Sequence, residues 1–188
     1  RLSTFGHRKT SRVLTAYFEE LTKAMTWLGG QRDTIFVGQA VKFPGTFAYR
    51  TLEGVPKDKL HEFPVAESFQ LQFSVGLALA GYVPISLYPR QNFLLLATSD
   101  LGNLLDKLPA MSNGAVKPKM IIRTASGPTK PIFPGHQHVG NFAGALGWML
   151  EWVEIVELSE PEQTMPAYRD AYERDGATLL LENGDLYG

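Results

Sequence analysis

The stretch His61-Glu62-Phe63-Pro64-Val65-Ala66-Glu67-Ser68-Phe69-Gln70-Leu71 constrains this chain more than any other. From Phe69 to Gly81 the residues are apolar and small, so Glu67 stands at the mouth of a segment that must be buried. Desolvation makes that an expensive place for a carboxylate, unless the backbone turns it to water or something holds it there for chemistry. The segment fits two periods. Phe69, Leu71, Phe73, Val75, Leu77 and Leu79 alternate as in a strand, whereas Phe69, Phe73, Gly76, Leu77 and Ala80 make a helical face whose small residues permit close packing. Period alone slightly favours the strand.

The flanking elements give the segment its context. Val13, Tyr17, Leu21, Ala24 and Leu28 predict a helix capped by Thr10 or Ser11 and ended by Gly29-Gly30 in a left-handed C-cap. Thr34 to Val37, stopped by Gly38, reads as a buried strand, and residues 39–59 as a long surface excursion. Val83 to Tyr88 is a second buried strand. Leu94, Ala97, Leu101, Leu104, Leu105 and Leu108 predict an amphipathic helix over Asn92 to Lys107, with Pro109 beyond its end.

Further strands are expected at Lys119 to Thr124, Val153 to Leu158 and Ala177 to Leu181. Ser159-Glu160-Pro161-Glu162 has the spacing of a capping box, opening a helix through Tyr168 and Tyr172. Strands alternating with helices imply an α/β fold of three layers, a mostly parallel sheet with helices on both faces. In such folds the ligand side is the carboxyl end of the strands.

Composition removes several function classes. With 18 basic and 19 acidic residues the formal net charge is −1, and no local basic patch offers a nucleic acid or an anionic membrane a footing. The absence of cysteine excludes disulfides, thiolate catalysis, iron–sulfur clusters and most structural zinc sites. No run reaches the roughly 18 apolar residues of a membrane span, and the first nine residues lack the apolar core of a secretory signal. A cytoplasmic location is the expectation. The start lacks Met, which points to a chain trimmed or excised from something longer, with residues 1–9 as a flexible arm.

No Gly-x-Gly-x-x-Gly after a strand, no Walker-type loop and no Gly-x-Ser-x-Gly elbow occurs. His136 and His138 sit two apart on an extended loop, but no third ligand accompanies them, so no metal site is assigned.

One ordered set of residues does carry a resemblance. Phe36-Val37-Gly38-Gln39, a long Gly-containing loop, Pro64-Val65-Ala66-Glu67, a small-residue segment and Gly81-x-x-Pro84 come first. Ile121-x-Arg123-Thr124, a His-bearing loop and Leu181-Glu182-Asn183-x-x-x-Tyr187 follow. From about Ser11 to Gly188 this order resembles the pyrimidine-binding domain of thiamine-diphosphate enzymes. It is most similar to the amino-terminal half of 2-oxo acid dehydrogenase beta subunits and to the central region of transketolase.

The resemblance implies one pyrimidine-binding domain over residues 1–188 and a helix, not a strand, from Phe69 to Ala80. It makes Glu67 the glutamate that hydrogen-bonds a ring nitrogen of the cofactor's aminopyrimidine and promotes its proton exchange. Tyr88 and Phe93 fall where aromatics lie against the pyrimidine, and Gln39 is also placed at the cofactor. His136 and His138 fall where a histidine approaches the substrate end; the choice between them stays open.

Two departures stand out. Gln39 occupies a position where the beta subunits have glutamate, and Gln91 appears at one alignment of the aromatic contact. Nothing in residues 1–188 matches the family's diphosphate-binding domain, with its magnesium ligands. The resemblance therefore implies a split enzyme, a transketolase or a 2-oxo acid dehydrogenase, in which a separate subunit supplies diphosphate and Mg2+ contacts in a homodimer or hetero-oligomer. The alternative is a non-catalytic dimerisation or regulatory module on the same fold.

Overall fold

The structure is a computed structural model and describes residues 15–130 and 133–188. The arm at 1–9, the caps at Thr10 and Ser11, and Val13 lie outside the described residues. The first described helix, α1, runs Ala16–Gly29, with the Thr15 hydroxyl accepting from Phe18 N at 3.2 Å. It leads to strand β1 (Thr34–Gly38), a short helix α2 (Phe47–Arg50) and strand β2 (Leu60–Glu62). Helix α3 (Glu67–Leu79) and strand β3 (Val83–Leu87) follow.

After β3 come two single turns, α4 (Gln91–Leu94) and α5 (Leu108–Met111), then β4 (Met120–Ser126) and α6 (Ala143–Met149). Strand β5 (Glu154–Leu158), helix α7 (Pro161–Glu173) and strand β6 (Ala177–Asn183) complete the order. The six strands form one sheet in the order β2-β1-β3-β4-β6-β5, and every pairing is parallel.

The central strands β1, β3, β4 and β6 are buried on both faces, as in an all-parallel sheet covered by helices. Alternation along the strands divides the core in two. Ile121 and Leu180 face one cluster with Tyr17, Leu21 and Leu28 of α1 and Tyr168 of α7. Their neighbours Met120, Ile122, Leu179 and Leu181 face another with Leu71 and Val75 of α3 and Leu146 of α6. Pro84 is tolerated in central β3 because pairing with β4 begins only at Ile85, so the missing N–H interrupts no bond on that side.

The segment after Glu67 is a helix, with Gln70, Leu71, Ser74 and Val75 turned inward. Burying one stripe of a helix takes only every third or fourth residue, so the two-residue period was incidental. Four local expectations need correction. Gly30 ends α1 at φ −76, not in the left-handed region, and its N–H satisfies the carbonyls of Thr26 and Trp27 directly.

The expected helix over Asn92 to Lys107 is broken. It passes from α4 through a 3₁₀ turn at Leu95–Ala97 to a π-helical stretch at Asp100–Leu105, and Pro109 opens α5 instead of following a terminus. The capping box lies one residue later than expected: the Gln163 side chain accepts from Glu160 N at 3.1 Å, with Glu160 as the cap. Finally, the excursion at 39–59 contains α2, and the three-residue strand β2 follows it.

Candidate functional site

The chain leaves β1 toward β2 in one direction and β3 toward β4 in the other, so the carboxyl ends of β1 and β3 form a topological switch point. The two strands meet closely there. A Cβ on Gly38 would lie 2.2 Å from the Leu87 carbonyl oxygen, and Gly38 has φ +146, so glycine is required. Gln39 follows directly, and α3 begins on the same side with Glu67 as its first residue.

Glu67 is 5% exposed. Its place in the first turn suits a negative charge, because the free amides there carry partial positive charge. Gln39 Nε2 donates to Glu67 Oε1 at 3.1 Å. Oε2 has no hydrogen-bond partner among the described residues and is not fully sealed from solvent, so it remains open to an approaching donor. The Tyr88 hydroxyl donates to the Glu67 carbonyl at 3.2 Å. Burial, opposed by Ser86 and reinforced by the charges of Glu67 and Asp100, pushes the Tyr88 phenol above its ordinary value, so it stays a protonated donor.

Tyr88 is 1% exposed and its ring packs in the core with Leu71 and Leu94. Phe93 belongs to a second group: its ring lies 5.7 Å from that of His138, whose Nδ1 is 3.3 Å from Asn92 Oδ1. His136 instead packs on Phe133, with centroids 5.2 Å apart. The structure thus joins Gln39, Tyr88 and Glu67 by hydrogen bonds, and Phe93 with His138 by ring contact. Among the described residues no hydrogen bond or ring contact links the two groups or joins His136 to either. Gln91 is buried and its Oε1 accepts from Phe142 N at 2.7 Å.

Two residues that sequence reasoning passed over shape the same end of the sheet. Arg90 donates through one terminal nitrogen to the carbonyls of Gly127 at 2.6 Å and His138 at 3.3 Å, tying the loops after β3 and β4 together. Burial holds its pKa below the ordinary value, with Tyr187 opposing. Glu62, the last residue of β2, accepts three backbone N–H bonds from residues 40–42. Neither has a local sequence signal, because their partners are main-chain atoms distant along the chain. Among the described residues no cluster of three or more His, Cys, Asp or Glu could hold a metal ion. None of their helices is long and apolar enough to cross a membrane.

No family model matches the chain. Over 176 residues it is 24% identical to the pyruvate dehydrogenase E1 component subunit beta of Chlorokybus atmophyticus, covering 90% of this chain and 51% of that one. Over 163 residues it is 28% identical to the subunit of the same name from Rickettsia bellii (strain RML369-C), covering 83% and 48%. The chain resembles the pyrimidine-type domain of thiamine-diphosphate enzymes. It spans about half the length of these relatives. A split gene transketolase, solved as an inactive beta4 tetramer, has the same fold. It matches with a TM-score of 0.68 at 17% identity, over 88% of this chain and 50% of that one.

Proposed function

We propose that this chain is the pyrimidine-domain subunit of a split thiamine-diphosphate enzyme, a transketolase or a 2-oxo acid dehydrogenase, and that Glu67 is its catalytic carboxylate. The observation that carries the reading is the half-satisfied state of Glu67: buried, held at Oε1 by Gln39, open at Oε2. A carboxylate in that state can hold a proton between its free oxygen and a ring nitrogen placed against it. When bound, thiamine diphosphate supplies the carbon nucleophile that such enzymes use. Gln39 keeps one oxygen occupied, and Tyr88 fixes the main chain from which the carboxylate projects. Phe93 and His138 line the neighbouring approach, with His136 farther out on the loop.

Among the described residues no cluster of carboxylates and histidines could hold a metal ion; in this reading the diphosphate and its Mg2+ are carried by a separate subunit. A surface for that association is available. Phe69 and Phe73 on the outer face of α3 are 51% and 43% exposed and contact Phe63, with ring centroids 5.1 to 5.8 Å apart. Gly76 and Ala80 continue the face and would let another helix approach closely. Contiguous apolar surface of this kind marks interaction sites in water-soluble proteins.

The test is to purify the chain with its partner and measure thiamine-diphosphate-dependent turnover of 2-oxo acids and of ketose phosphates. Glu67→Gln should lower it by about 10²-fold or more; turnover within about tenfold of the unaltered complex would end the catalytic reading. A second reading, a non-catalytic assembly module, is favoured by Gln91 in place of an aromatic. The beta4 tetramer of the structural neighbour, described as inactive, also favours it. Cofactor binding without turnover on any such substrate would select that alternative.

A further inference from the structure

The turn after β1 is held by a carboxylate from the neighbouring strand. Glu62 Oε1 lies 2.8 Å from Ala40 N, and Oε2 lies 2.8 Å from both Val41 N and Lys42 N. Three successive amides converging on one anion form a nest, here filled by the chain's own side chain. The turn needs that anchor, because Ala40 has φ 58, a left-handed conformation that residues with a Cβ seldom adopt. On the other side Gly38 is fixed as well. It pairs with Glu62 in the β1–β2 ladder, and its carbonyl accepts from Phe63 N at 2.8 Å.

Gln39 is the residue between these two fixed points. Its backbone is determined at Gly38 and again at Ala40, which leaves its side chain a narrow range of directions. The one it takes places Nε2 3.1 Å from Glu67 Oε1. An amide donates and cannot compete with the carboxylate for a proton at that nitrogen, so the contact both orients the carboxylate and selects which oxygen stays open.

We propose that Glu62 is a positioning residue. Its grip on residues 40–42 sets the direction of Gln39 and, through Gln39, presents Glu67 Oε2. This rests on the functional reading only for what Oε2 meets; the relay from Glu62 to Glu67 is a property of the chain itself. A purely structural Glu62 would staple the loop without any influence on Gln39, and the two cases are separable.

The side-chain amide of Gln39, followed by 15N–1H spectroscopy on the full chain, should carry a hydrogen-bonded shift that Glu67→Ala removes. Glu62→Gln should move it to the free-amide position while the protein stays folded. In the reconstituted complex, Glu62→Gln should lower thiamine diphosphate affinity roughly tenfold by calorimetry, and less than about twofold when Gln39→Ala is already present. A Gln39 resonance unmoved by Glu62→Gln, or the same loss in both backgrounds, overturns the relay. If Glu62→Gln fails to fold, Ala40→Val strains the same turn while leaving the carboxylate in place and is read the same way. Absence of cofactor binding by the unaltered complex would sink the functional reading and leave the Gln39 resonance to decide the relay.

Discussion

Glu67 and Glu182 are both buried glutamates, 5% and 2% exposed, and the protein treats them in opposite ways. Glu182 on β6 is closed. Arg123 Nε meets its Oε1 at 2.6 Å and a terminal nitrogen meets Oε2 at 3.1 Å, while the hydroxyls of Tyr168 and Tyr187 donate to the same two oxygens. Burial alone would lower the Arg123 pKa, but the charge and hydrogen bond of Glu182 together with Tyr168 and Tyr187 outweigh it, and the guanidinium is held above its ordinary value. Burial first, and the Glu182 charge second, push both tyrosines well up, so they remain donors. Glu67 receives one amide and keeps an oxygen free. A carboxylate with every lone pair engaged has nothing left for a ligand, so satisfaction, more than burial, separates a structural acid from a candidate catalytic one.

Removing Glu182 should therefore produce the largest change in stability. Glu182→Ala leaves Arg123 as an uncompensated buried charge and two phenols without acceptors, a loss of about 3–5 kcal/mol. Urea unfolding should show the midpoint collapse or no folded protein at all. A loss below about 1 kcal/mol would mean that the cluster is solvated and that the contrast with Glu67 is false.

Glu67→Gln should give the reverse pattern. Stability should shift by no more than about 1 kcal/mol, because the new side chain still offers Gln39 Nε2 an oxygen acceptor of similar geometry. Turnover of the reconstituted complex should fall by about 10²-fold or more, the usual contribution of a positioned proton-transfer group. Large destabilisation with turnover retained would make Glu67 a second Glu182.

How much of this contrast could be read from the sequence depends on the distance over which each feature is built. The strands at β3, β4 and β6 were legible because burial on both faces produces unbroken apolar runs. The position of Glu67 was legible because a charge beside an apolar segment is a local anomaly. Strand β2 was missed because Leu60 to Glu62 is too short to show a period. The helix expected at Asn92 to Lys107 had the right buried face but the wrong winding, since side-chain spacing reports a stripe and not the backbone bonds beneath it. The Arg123–Glu182 cluster spans 59 residues and unites strands from separate runs, so no window along the chain contains it. Gln39 and Glu67 are 28 apart, and only the resemblance put them in one site.

Asp106 adds a third case, closed by the main chain. Its Oδ1 accepts from the amides of Glu151, Trp152 and Val153 at 2.7 to 3.1 Å, and Lys107 pairs with Oδ2 at 2.8 Å. Burial pushes the Asp106 pKa up, but Lys107 and the three amides outweigh it and hold it below the ordinary value. A carboxyl depressed on folding contributes stability that is full above its unfolded pKa of roughly 3.9 and is lost as pH falls through the folded value. Asp106→Asn should cost about 1–3 kcal/mol at neutral pH and flatten the acid limb of the stability profile below about pH 4. An unchanged acid limb would show that the amides, and not the charge, do the holding.

The smallest effect isolates one bond of the closed cluster. The second terminal nitrogen of Arg123 donates to Thr51 Oγ1 at 2.8 Å, and Thr51 is fully buried, so that hydroxyl completes the guanidinium's partners from the loop that carries α2. Thr51→Val keeps the shape and removes the acceptor, and with it the bond that the hydroxyl donates to the Ala48 carbonyl at 2.6 Å. Because Arg123 retains both bonds to Glu182, the ion pair should persist and the loss should be about 1 kcal/mol, seen as a shift in urea midpoint with unchanged slope. A loss as large as that of Glu182→Ala would mean that the loop and the ion pair stand or fall together. The residue 39–59 excursion would then be part of what keeps Glu182 closed, and with its first residue, Gln39, on Glu67, one loop would set the state of both carboxylates.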